Sequence, residues 1–586
     1  MPRPYSVRFE RNVPVPMRDG ITLFSDVYRP SEPGRYPVIL QRTPYDKGGS
    51  IGSPAGFALR AAGEGYAVVI QDTRGRWTSE GPFNAFPHER QDGYDTCAWL
   101  QDQPWSNGRI GMFGASYVGL TQWQAAIAGA PGLQAIVPTV TAADYHEGWT
   151  YQGGAFELNF NLSWTLTFLA TNTAARRLAE DPSFAPHFDE LLDRIDRMDQ
   201  DFDRMPLAGD PLISVLAPFY EDWLGNPTHC DFWDALRVDT NHGDLDVAAL
   251  NVGGWYDIFL GATIQNFQGM QLSARSDQTR KASRLLIGPW EHMTSITISP
   301  VGEYDPGVRS WHTHIDIDGI HLRWYDRWLR DHGNGIDDEP PVTIFVMGAN
   351  SWRQEETWPL PQTQFEDYFL SSGGSANTLN GDGVLLRDAS GTDRPDHFHY
   401  DPLNPVPTKG GALCCNTYWA AAGSYDQREI EARPDVLCYT SPSVDEPVEV
   451  TGPVRVIVYA ASSAVDTDFT AKLVDVGPDG YARNLTDGIL RARYRKTTRE
   501  EHLLTPGDVE EYEIDLWATS NLFLSGHRIR VEISSSNFPR FDRNPNHGGE
   551  IAKATRADCV VASQTVFHDA SYPSRIVLPV VAGELP

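Results

Sequence analysis

One stretch of this chain places a serine between a strand-like run and a helix-like run. Residues 110–113 are apolar, Gly-Ala-Ser follows at 114–116, and residues 117–130 are helix-like. Glycine allows a sharp turn because it has no Cβ atom to clash. A serine on such a turn is typical of the nucleophile elbow of an α/β-hydrolase, in which the hydroxyl stands at the edge of a sheet. The spacing is G-x-S-x-x-G, with Gly119 one residue later than in the standard motif, and a glycine turn in another doubly wound domain is the alternative.

Apolar strand-like runs alternate with helix-like runs on both sides of this turn. The strand-like runs are residues 37–42, 66–71, 110–114, 135–140, 247–253, 284–287 and 342–347, and the helix-like runs include 88–101, 260–272 and 321–331. Alternation of this kind predicts a parallel sheet covered by helices.

Two regions interrupt or follow the alternation. Long amphipathic runs between residues 144 and 244 predict a helical insertion, and such insertions often cover the ligand crevice beyond the carboxyl ends of the strands. After residue 358, short strand-like runs and turn residues predict a jelly-roll β-sandwich. The predicted α/β organisation is an α/β-hydrolase domain (1–143 and 245–355), a helical cap (144–244) and a C-terminal jelly-roll β-sandwich (356–586).

Composition excludes several functions. The formal net charge is −30, which repels nucleic acids and anionic membranes and favours neutral or cationic small molecules as partners. An acidic surface that serves mainly solubility is the alternative. The six cysteines lack C-x-x-C spacing, and at about one per hundred residues no disulfide framework is expected. The first residues have no apolar leader, which predicts a cytoplasmic protein. A homo-oligomer is compatible with the sequence.

Acyl transfer by a serine requires a base and a carboxylate that orients the base. In α/β-hydrolases these follow the serine in the order acid, then histidine. Residues 249–257 form a buried-strand run that ends at Asp257, and residues 286–292 form another that ends at His292. We therefore predict Ser116 as nucleophile, Asp257 as the orienting acid and His292 as general base.

Several motifs resemble one family of serine hydrolases, which contains the X-Pro dipeptidyl-peptidases, the α-amino-acid ester hydrolases and the bacterial cocaine esterases. The motifs are Thr43-Pro-Tyr-Asp-Lys, Gln71-Asp-Thr-Arg-Gly-Arg, residues 111–124, Gly254-Trp-Tyr-Asp, Gly288-Pro-Trp-Glu-His and Ser534-Ser-Ser-Asn-Phe-Pro-Arg-Phe-Asp-Arg-Asn. They extend over all of the predicted domains, and the G-x-S-Y-x-G elbow is that family's form.

The resemblance implies further site residues. It implies an oxyanion hole formed by the hydroxyl of Tyr45 and the backbone N–H of Tyr117. It also implies an acyl pocket enclosed by Trp149, Trp164 and Phe259, where edge-to-face packing would favour an aromatic acyl group. Ordinary packing of the cap against the sheet is the alternative for these three aromatic residues.

Three other features have less bearing on the reaction. Glu291 precedes His292 and would raise the pKa of the imidazole if it faced the site, whereas it would have no effect if it faced solvent. His312-x-His314 with Asp316 and Asp318 contains metal-ligand residue types, but no further ligand completes a set, so neither a metal nor a cofactor is predicted. The adjacent Cys414 and Cys415 are interpreted as part of a packed loop rather than a redox site.

The sequence thus predicts a serine carboxylesterase that acts through an acyl-serine intermediate on esters with bulky acyl groups, aromatic ones included. An amine-recognising relative, either an α-amino-acid ester hydrolase or an X-Pro dipeptidyl-peptidase, is the alternative. That alternative requires carboxylates around the acyl pocket, for which Asp144, Glu147 and Glu157 are candidates. A non-catalytic binding protein with a carbohydrate-binding sandwich is the third hypothesis.

Overall fold

The first part of the chain builds half of the central sheet. The computed structural model describes residues 5–49, 54–293, 300–389, 394–416 and 418–582. The first elements are β1 (Val7–Pro16), β2 (Thr22–Pro30), β3 (Tyr36–Thr43), α1 (Pro54–Gly63), β4 (Ala67–Asp72), α2 (Glu89–Gln101), β5 (Ser106–Ala115), α3 (Tyr117–Ile127) and β6 (Leu133–Thr139). β3 and β4 are buried along their whole length, as expected of parallel strands covered on both faces.

A largely helical insertion follows β6. It comprises β7 (Tyr151–Gln152), β8 (Ala155–Phe156), α4 (Leu158–Trp164), a π-helical segment (Thr165–Ala170), α5 (Thr171–Glu180), α6 (Ala185–Asp196), α7 (Met198–Phe202), α8 (Pro211–Leu216), α9 (Pro218–Gly225) and α10 (Asp231–Asp234). One amphipathic run of the predicted insertion, residues 189–203, is divided between α6 and α7, because Arg197 leaves the helical conformation between them.

The chain then returns to complete the sheet. The elements are β9 (Ala248–Tyr256), α11 (Leu260–Ser273), α12 (Asp277–Ala282), β10 (Arg284–Glu291), α13 (His312–Ile315), α14 (Ile317–Arg330), β11 (Val342–Val346) and β12 (Ser351–Glu355). Within the described residues the strands form a ten-stranded sheet in the order β1-β2-β4-β3-β5-β6-β9-β10-β11-β12. The strands from β4 to β11 in this order are parallel, and the antiparallel strands lie at the two edges.

The C-terminal region is dominated by β-strands. Its elements are β13 (Thr363–Ser371), β14 (Val384–Leu386), β15 (Asp396–Tyr400), α15 (Arg428–Glu431), β16 (Leu437–Thr440), β17 (Val448–Ser462), β18 (Asp468–Val476), β19 (Ala482–Arg491), β20 (Glu510–Phe523), β21 (Arg528–Ser534), β22 (Ala562–Phe567) and β23 (Arg575–Val581). Side chains from most of these strands share one apolar core. The predicted fold class, an α/β-hydrolase domain with a helical cap and a C-terminal jelly-roll sandwich, is confirmed.

Alternate residues of the central strands enter different cores. Leu40 and Met112 pack in the core that includes the cap aromatic residues, whereas Ile39 and Phe113 pack in the core beneath α1 and α14. Because successive side chains of a strand point to opposite faces, the two cores cover opposite faces of the sheet. We call them the cap face and the α14 face.

The cap is tied to the C-terminal sandwich by buried polar contacts. Arg540 donates from Nη2 to Gln152 Oε1 at 3.0 Å, and Asp542 Oδ1 accepts a hydrogen bond from the backbone N–H of Phe156 at 2.9 Å. A further, exposed contact is the salt bridge between Arg499 and Asp234 of the cap, at 2.8 Å. Two of these residues belong to the predicted 534–544 motif, which therefore contacts the cap directly.

No helix within the described ranges combines the length and the apolar character needed to cross a lipid bilayer.

Candidate active site

Ser116 has a strained backbone at the end of β5. Its φ of 61° and ψ of −126° lie outside the regions that a non-glycine residue readily adopts. The turn is held by the Ser116 N–H, which donates to the carbonyl of Thr139 at 2.9 Å, and by the Thr141 hydroxyl, which donates to the Ser116 carbonyl at 2.8 Å. Such strain is characteristic of the nucleophile elbow.

The two glycines of the elbow are required by close packing. Gly114 has a φ of +129°, and a Cβ atom there would lie 2.2 Å from Cγ1 of Val118. A Cβ atom at Gly119 would lie 2.7 Å from Cβ of Thr141. The later position of the second glycine therefore reflects the close approach of α3 to the chain that follows β6.

Asp257 and His292 follow β9 and β10, which are adjacent in the sheet. Nδ1 of His292 lies 2.6 Å from Oδ2 of Asp257, and both residues are buried. The other carboxylate oxygen accepts a hydrogen bond from the Phe259 N–H at 2.7 Å. Because Asp257 binds Nδ1 of His292, the other ring nitrogen, Nε2, faces away from the aspartate.

Ser116, His292 and Tyr45 line one pocket of about 210 Å³ at the carboxyl edge of the sheet. Asp257 is joined to this group through His292. The structure therefore brings together four of the predicted residues, which come from three separate strand ends and the loop after β3.

The hydroxyl of Tyr45 lies at the centre of a short chain of polar contacts. It accepts a hydrogen bond from Nε1 of Trp164 at 2.9 Å and is within hydrogen-bonding reach of Ser116. Burial raises the pKa of Tyr45 above its ordinary value, so the phenol is protonated at neutral pH. Because the Trp164 N–H binds a lone pair of the phenolic oxygen, the O–H of Tyr45 can donate to a different acceptor.

Arg76, from the predicted Gln71-Asp-Thr-Arg-Gly-Arg motif, braces the loop that carries Tyr45. Its guanidinium donates to the carbonyl oxygens of Pro44 at 3.0 Å, Leu169 at 2.8 Å and Phe168 at 2.9 Å. Burial lowers the pKa of Arg76 to about 9, which leaves the side chain charged at neutral pH. The Arg76 guanidinium thus holds the loop that carries Tyr45 against the cap segment that contains Phe168 and Leu169.

The side chain and the amide of Tyr117 face different surroundings. The phenol is buried and donates to Oε1 of Glu89 at 2.9 Å, while it accepts from the Phe86 N–H at 3.0 Å. The backbone N–H belongs to the first residue of α3, and the first amides of a helix have no intrahelical acceptor. The backbone N–H of Tyr117, not its hydroxyl, is therefore the group that corresponds to the predicted oxyanion-hole donor.

Of the three aromatic residues predicted to enclose the acyl group, one lines the pocket and two lie behind it. Trp164 lines the pocket together with Phe168. Trp149 and Phe259 are buried and stacked at 4.4 Å between ring centroids, and neither is part of the described pocket lining. The Phe259 ring contacts His292 edge-on at 5.3 Å, so this pair supports the imidazole from behind.

Sequence reasoning did not assign several of the pocket residues to the site, although His312, Asp318 and Cys415 were considered for other roles. The unassigned residues include Phe57, Phe113, Phe168, His312, Asp318, His321 and Cys415. Phe168 lies four residues after Trp164, and His321 lies three after Asp318, so helical spacing could have grouped each pair. The others come from distant parts of the chain and carry no common motif.

Cys414 and Cys415 form a disulfide between neighbouring residues. They lie in a loop of the C-terminal region, where the disulfide itself was not predicted from the sequence, and Cys415 also lines the pocket. The C-terminal region thus contributes directly to the wall of the site.

Glu291 is buried rather than solvent-facing. Its Oε2 accepts a hydrogen bond from the Met293 N–H at 2.7 Å. The carboxylate therefore braces the backbone turn that carries His292.

The His312-x-His314 segment forms the short helix α13 instead of an extended strand. His312 is buried and His314 is exposed, so the two rings do not share a face. Within the described residues no group of three or more His, Cys, Asp or Glu side chains is arranged to hold a metal ion.

The candidate amine-binding carboxylates lie outside the described pocket lining. Asp144 is 3.6 Å from Nε2 of His229 within the cap, and Glu147 accepts from the Gly153 N–H at 2.9 Å. Glu157 lies 3.8 Å from Arg540 at the contact with the sandwich. Burial raises the pKa of both glutamates to about 8.

A parallel sheet with a strained serine, a histidine and a buried aspartate at its carboxyl edge defines an α/β-hydrolase. The family model of the X-Pro dipeptidyl-peptidases (S15 family) matches residues 19–294, and that of the X-Pro dipeptidyl-peptidase C-terminal non-catalytic domain matches residues 334–577. The chain is 40% identical over 97% of its length to the cocaine esterase of Rhodococcus sp. (strain MB1 Bresler), of which it covers 98%. The protein therefore belongs to the S15 family of serine hydrolases.

Two solved structures resemble the whole chain. The aminopeptidase from the marine sediment archaeon Thaumarchaeota archaeon has a TM-score of 0.79 and 25% identity, and an α-amino acid ester hydrolase has a TM-score of 0.78 and 25% identity. Each alignment covers 99% of this chain and 97% of the other chain. The likeness extends over the sheet, the cap and the sandwich.

Proposed function

We propose that the protein is a serine carboxylesterase that hydrolyses esters with bulky acyl groups, aromatic ones included. The observation that carries this proposal is the joint placement of Ser116 and His292 in one pocket, with His292 bound to Asp257 at 2.6 Å. The 40% identity to a cocaine esterase supports ester hydrolysis.

In the proposed reaction the Ser116 hydroxyl attacks the ester carbonyl carbon while His292 takes the hydroxyl proton. Asp257 keeps the imidazole oriented and stabilises its protonated form. When the tetrahedral intermediate collapses, the bond to the alkoxy oxygen breaks and His292 returns the proton to the departing alcohol. His292 then takes a proton from a water molecule as the water oxygen attacks the acyl carbon. The bond between the acyl carbon and Ser116 Oγ breaks, His292 returns the proton to Oγ, and the carboxylic acid is released.

The negative oxygen of each tetrahedral intermediate needs two hydrogen-bond donors. We assign this role to the Tyr45 hydroxyl and the Tyr117 N–H. The protonated state of Tyr45 and the occupation of its lone pair by Trp164 support the first assignment. Donors fixed before the reaction stabilise developing charge without reorganisation during the step.

The proposed acyl site lies on the cap face, where Trp164 and Phe168 form the wall. Trp149 and Phe259 would act from behind this wall by keeping the rings in place. An aromatic acyl group would gain offset or edge-to-face contacts with these rings, worth about 1 kcal/mol each beyond burial.

An amine-recognising acyl hydrolase is the second candidate, and the likeness to an α-amino acid ester hydrolase and an aminopeptidase favours it. Against it, Asp144, Glu147 and Glu157 lie away from the described pocket, and the raised pKa of each glutamate disfavours ionisation at neutral pH.

Comparative hydrolysis distinguishes the two candidates. We expect a higher kcat/KM for phenyl benzoate than for phenylglycine esters or glycyl-prolyl amides. A fluorophosphonate probe should label Ser116, as read by peptide mapping. Preference for the amino-acyl substrates would replace the first candidate by the second, and absence of labelling would exclude both.

A further inference from the structure

A second cavity lies on the cap face, between the start of α2 and the helices α9 and α10. It has a volume of about 360 Å³, which is within the usual range of small-molecule sites. Its described lining shares no residue with that of the pocket beside Ser116. Much of its wall is apolar and is formed by Phe86, Phe219, Trp223, Phe232 and Leu236.

Arg90, in the first turn of α2, also lines this cavity and is half-buried. Its guanidinium donates from Nε to Gln124 Oε1 at 2.9 Å and from Nη2 to the Ala235 carbonyl at 3.0 Å. Both acceptors are neutral, and among the described residues no carboxylate pairs with Arg90 and no acceptor binds its Nη1. Burial lowers the pKa of Arg90, and no neighbouring anion offsets this effect.

Two carboxylates near Arg90 do not neutralise it. Glu89 precedes it in the chain, but the Glu89 carboxylate is bound to the guanidinium of Arg42 at 2.8 Å. Asp222 lines the cavity, but it is exposed and forms no salt bridge with Arg90 in the described structure. A half-buried charge without a partner is unfavourable. A bound anion would therefore supply the partner that the fold does not.

The apolar wall and the cation together define the chemistry of the ligand. The rings of Phe219 and Trp223, with 5.0 Å between centroids, offer faces and edges against which another aromatic ring packs favourably. A guanidinium binds a carboxylate through strong charge-assisted hydrogen bonds. We propose that this cavity binds an aromatic carboxylate, whose ring packs on these side chains while its carboxylate accepts from Nη1 of Arg90.

The second cavity is one ring away from the pocket beside Ser116. Phe86 and Trp223 each stack on Trp164, with 6.3 and 5.9 Å between centroids, and Trp164 binds the hydroxyl of Tyr45. The proposed esterase would release an aromatic carboxylate from a benzoate ester, so its product belongs to the ligand class. Binding at this cavity does not itself depend on the esterase function.

Three fluorinated probes of similar shape test the proposal by fluorine NMR titration. At neutral pH, 4-fluorobenzoate is an anion, 4-fluorobenzamide is neutral and 4-fluorobenzylamine is a cation. The wild-type protein should bind the anion about tenfold more tightly than the amide, the range for a hydrogen bond to a charged group, and should bind the cation least. Equal affinity for the anion and the amide, or tighter binding of the cation, would overturn the proposal.

Two variants separate the effect of the charge from that of the space. Arg90→Gln should weaken binding of 4-fluorobenzoate about tenfold and leave that of the amide within about twofold. Ala235→Phe adds a ring at an exposed lining residue with a helical φ of −62°, removes no polar group and should prevent binding of both probes. Unchanged affinity for 4-fluorobenzoate in either variant would contradict the assigned site.

Two further variants serve as controls. Arg18→Gln removes the same charge from an exposed arginine that pairs with Asp95 of α2, and should leave the affinity for 4-fluorobenzoate unchanged. Ser116→Ala should also bind this probe as the wild type does. A loss in Arg18→Gln equal to that in Arg90→Gln would reduce the effect to overall charge, and a loss confined to Ser116→Ala would place the probe beside Ser116. Either result would overturn the proposal.

Discussion

A serine, a histidine and an aspartate lie together at the sheet edge and again inside the C-terminal sandwich. In the sandwich, Oδ2 of Asp396 accepts from the Ser372 hydroxyl at 2.7 Å and lies 2.9 Å from Nε2 of His568. The Ser372 hydroxyl is also 3.2 Å from that same nitrogen. All three residues are buried.

The two groups differ in how the same residue types are connected. At the sheet edge, Asp257 binds Nδ1 of His292 and Ser116 lies on a strained turn beside a pocket. In the sandwich, the aspartate engages the serine itself, so the hydroxyl proton is held by Asp396. Residue types alone therefore do not define a catalytic group; connection, strain and access to a pocket do.

Removal of each serine should give the largest contrast. We expect Ser116→Ala to lower kcat/KM for phenyl benzoate on the order of 10⁶-fold, because the nucleophile is lost. Ser372→Ala should leave kcat/KM within about twofold and lower the stability by about 1–3 kcal/mol, the cost of a lost buried hydrogen bond. Steady-state kinetics and urea unfolding measure the two effects. Full activity of Ser116→Ala would end the proposed mechanism.

Substitution of the two aspartates should give the same kind of contrast, with activity lost at the sheet edge and stability lost in the sandwich. Asp257→Asn should reduce kcat about 10⁴-fold, because an amide no longer holds the imidazole in the required tautomer. Asp396→Asn should leave kcat nearly unchanged while it lowers the melting temperature. Equal loss of kcat in both variants would show that the sandwich group contributes to the reaction.

A tyrosine hydroxyl accompanies each group. Tyr45→Phe should lower kcat by about 10²–10³ with little change in KM, as for the loss of one oxyanion donor. The hydroxyl of Tyr439 donates to Asp396 at 2.7 Å, so Tyr439→Phe should affect stability only. A kcat for Tyr45→Phe within about threefold of the wild type would contradict the assigned role.

The smallest expected effect is on acid stability. Burial alone would raise the pKa of Asp396, but hydrogen bonds from His568 and the Ala376 N–H lower it below the ordinary value of 3.8. A carboxyl group with a lowered pKa in the folded state stabilises the protein above its unfolded-state pKa, and this contribution is lost as the pH falls through the folded-state pKa. The wild type should therefore lose more stability than Asp396→Asn when the pH is lowered below about 4. Parallel acid unfolding curves for the two proteins would contradict this.

Local patterns in the sequence predicted much of the sheet. The runs near residues 37–42, 66–71 and 284–287 correspond to β3, β4 and β10, because buried parallel strands are continuous apolar segments. The antiparallel edge strands β1 and β2 were not predicted. β1 is largely exposed, and β2 is mostly buried but contains the polar residues Ser25 and Asp26, so neither forms a continuous apolar run. Domain boundaries, a cytoplasmic location and a homo-oligomer stay predictions.

Prediction of the candidate site depended on chain order, and the structure brings the predicted residues together where that order is informative. Strand ends of a parallel sheet share one edge, so Asp257 and His292 could be grouped without a structure. Asp318 and Cys415 reach the pocket from a helix start and from a distant loop, and no local pattern encodes that approach. The connection of Trp164 to Tyr45 likewise arises only from packing of the cap.

The anchoring of the cap by the sandwich has a consequence for altering substrate range. Because Arg540 and Asp542 hold the segment that leads into α4, changes at these positions would reorient Trp164 without touching the pocket. Laboratory evolution of new ester preferences should therefore sample the C-terminal domain as well as the lining side chains, and a library confined to the immediate surroundings of Ser116 would omit part of what shapes the cavity.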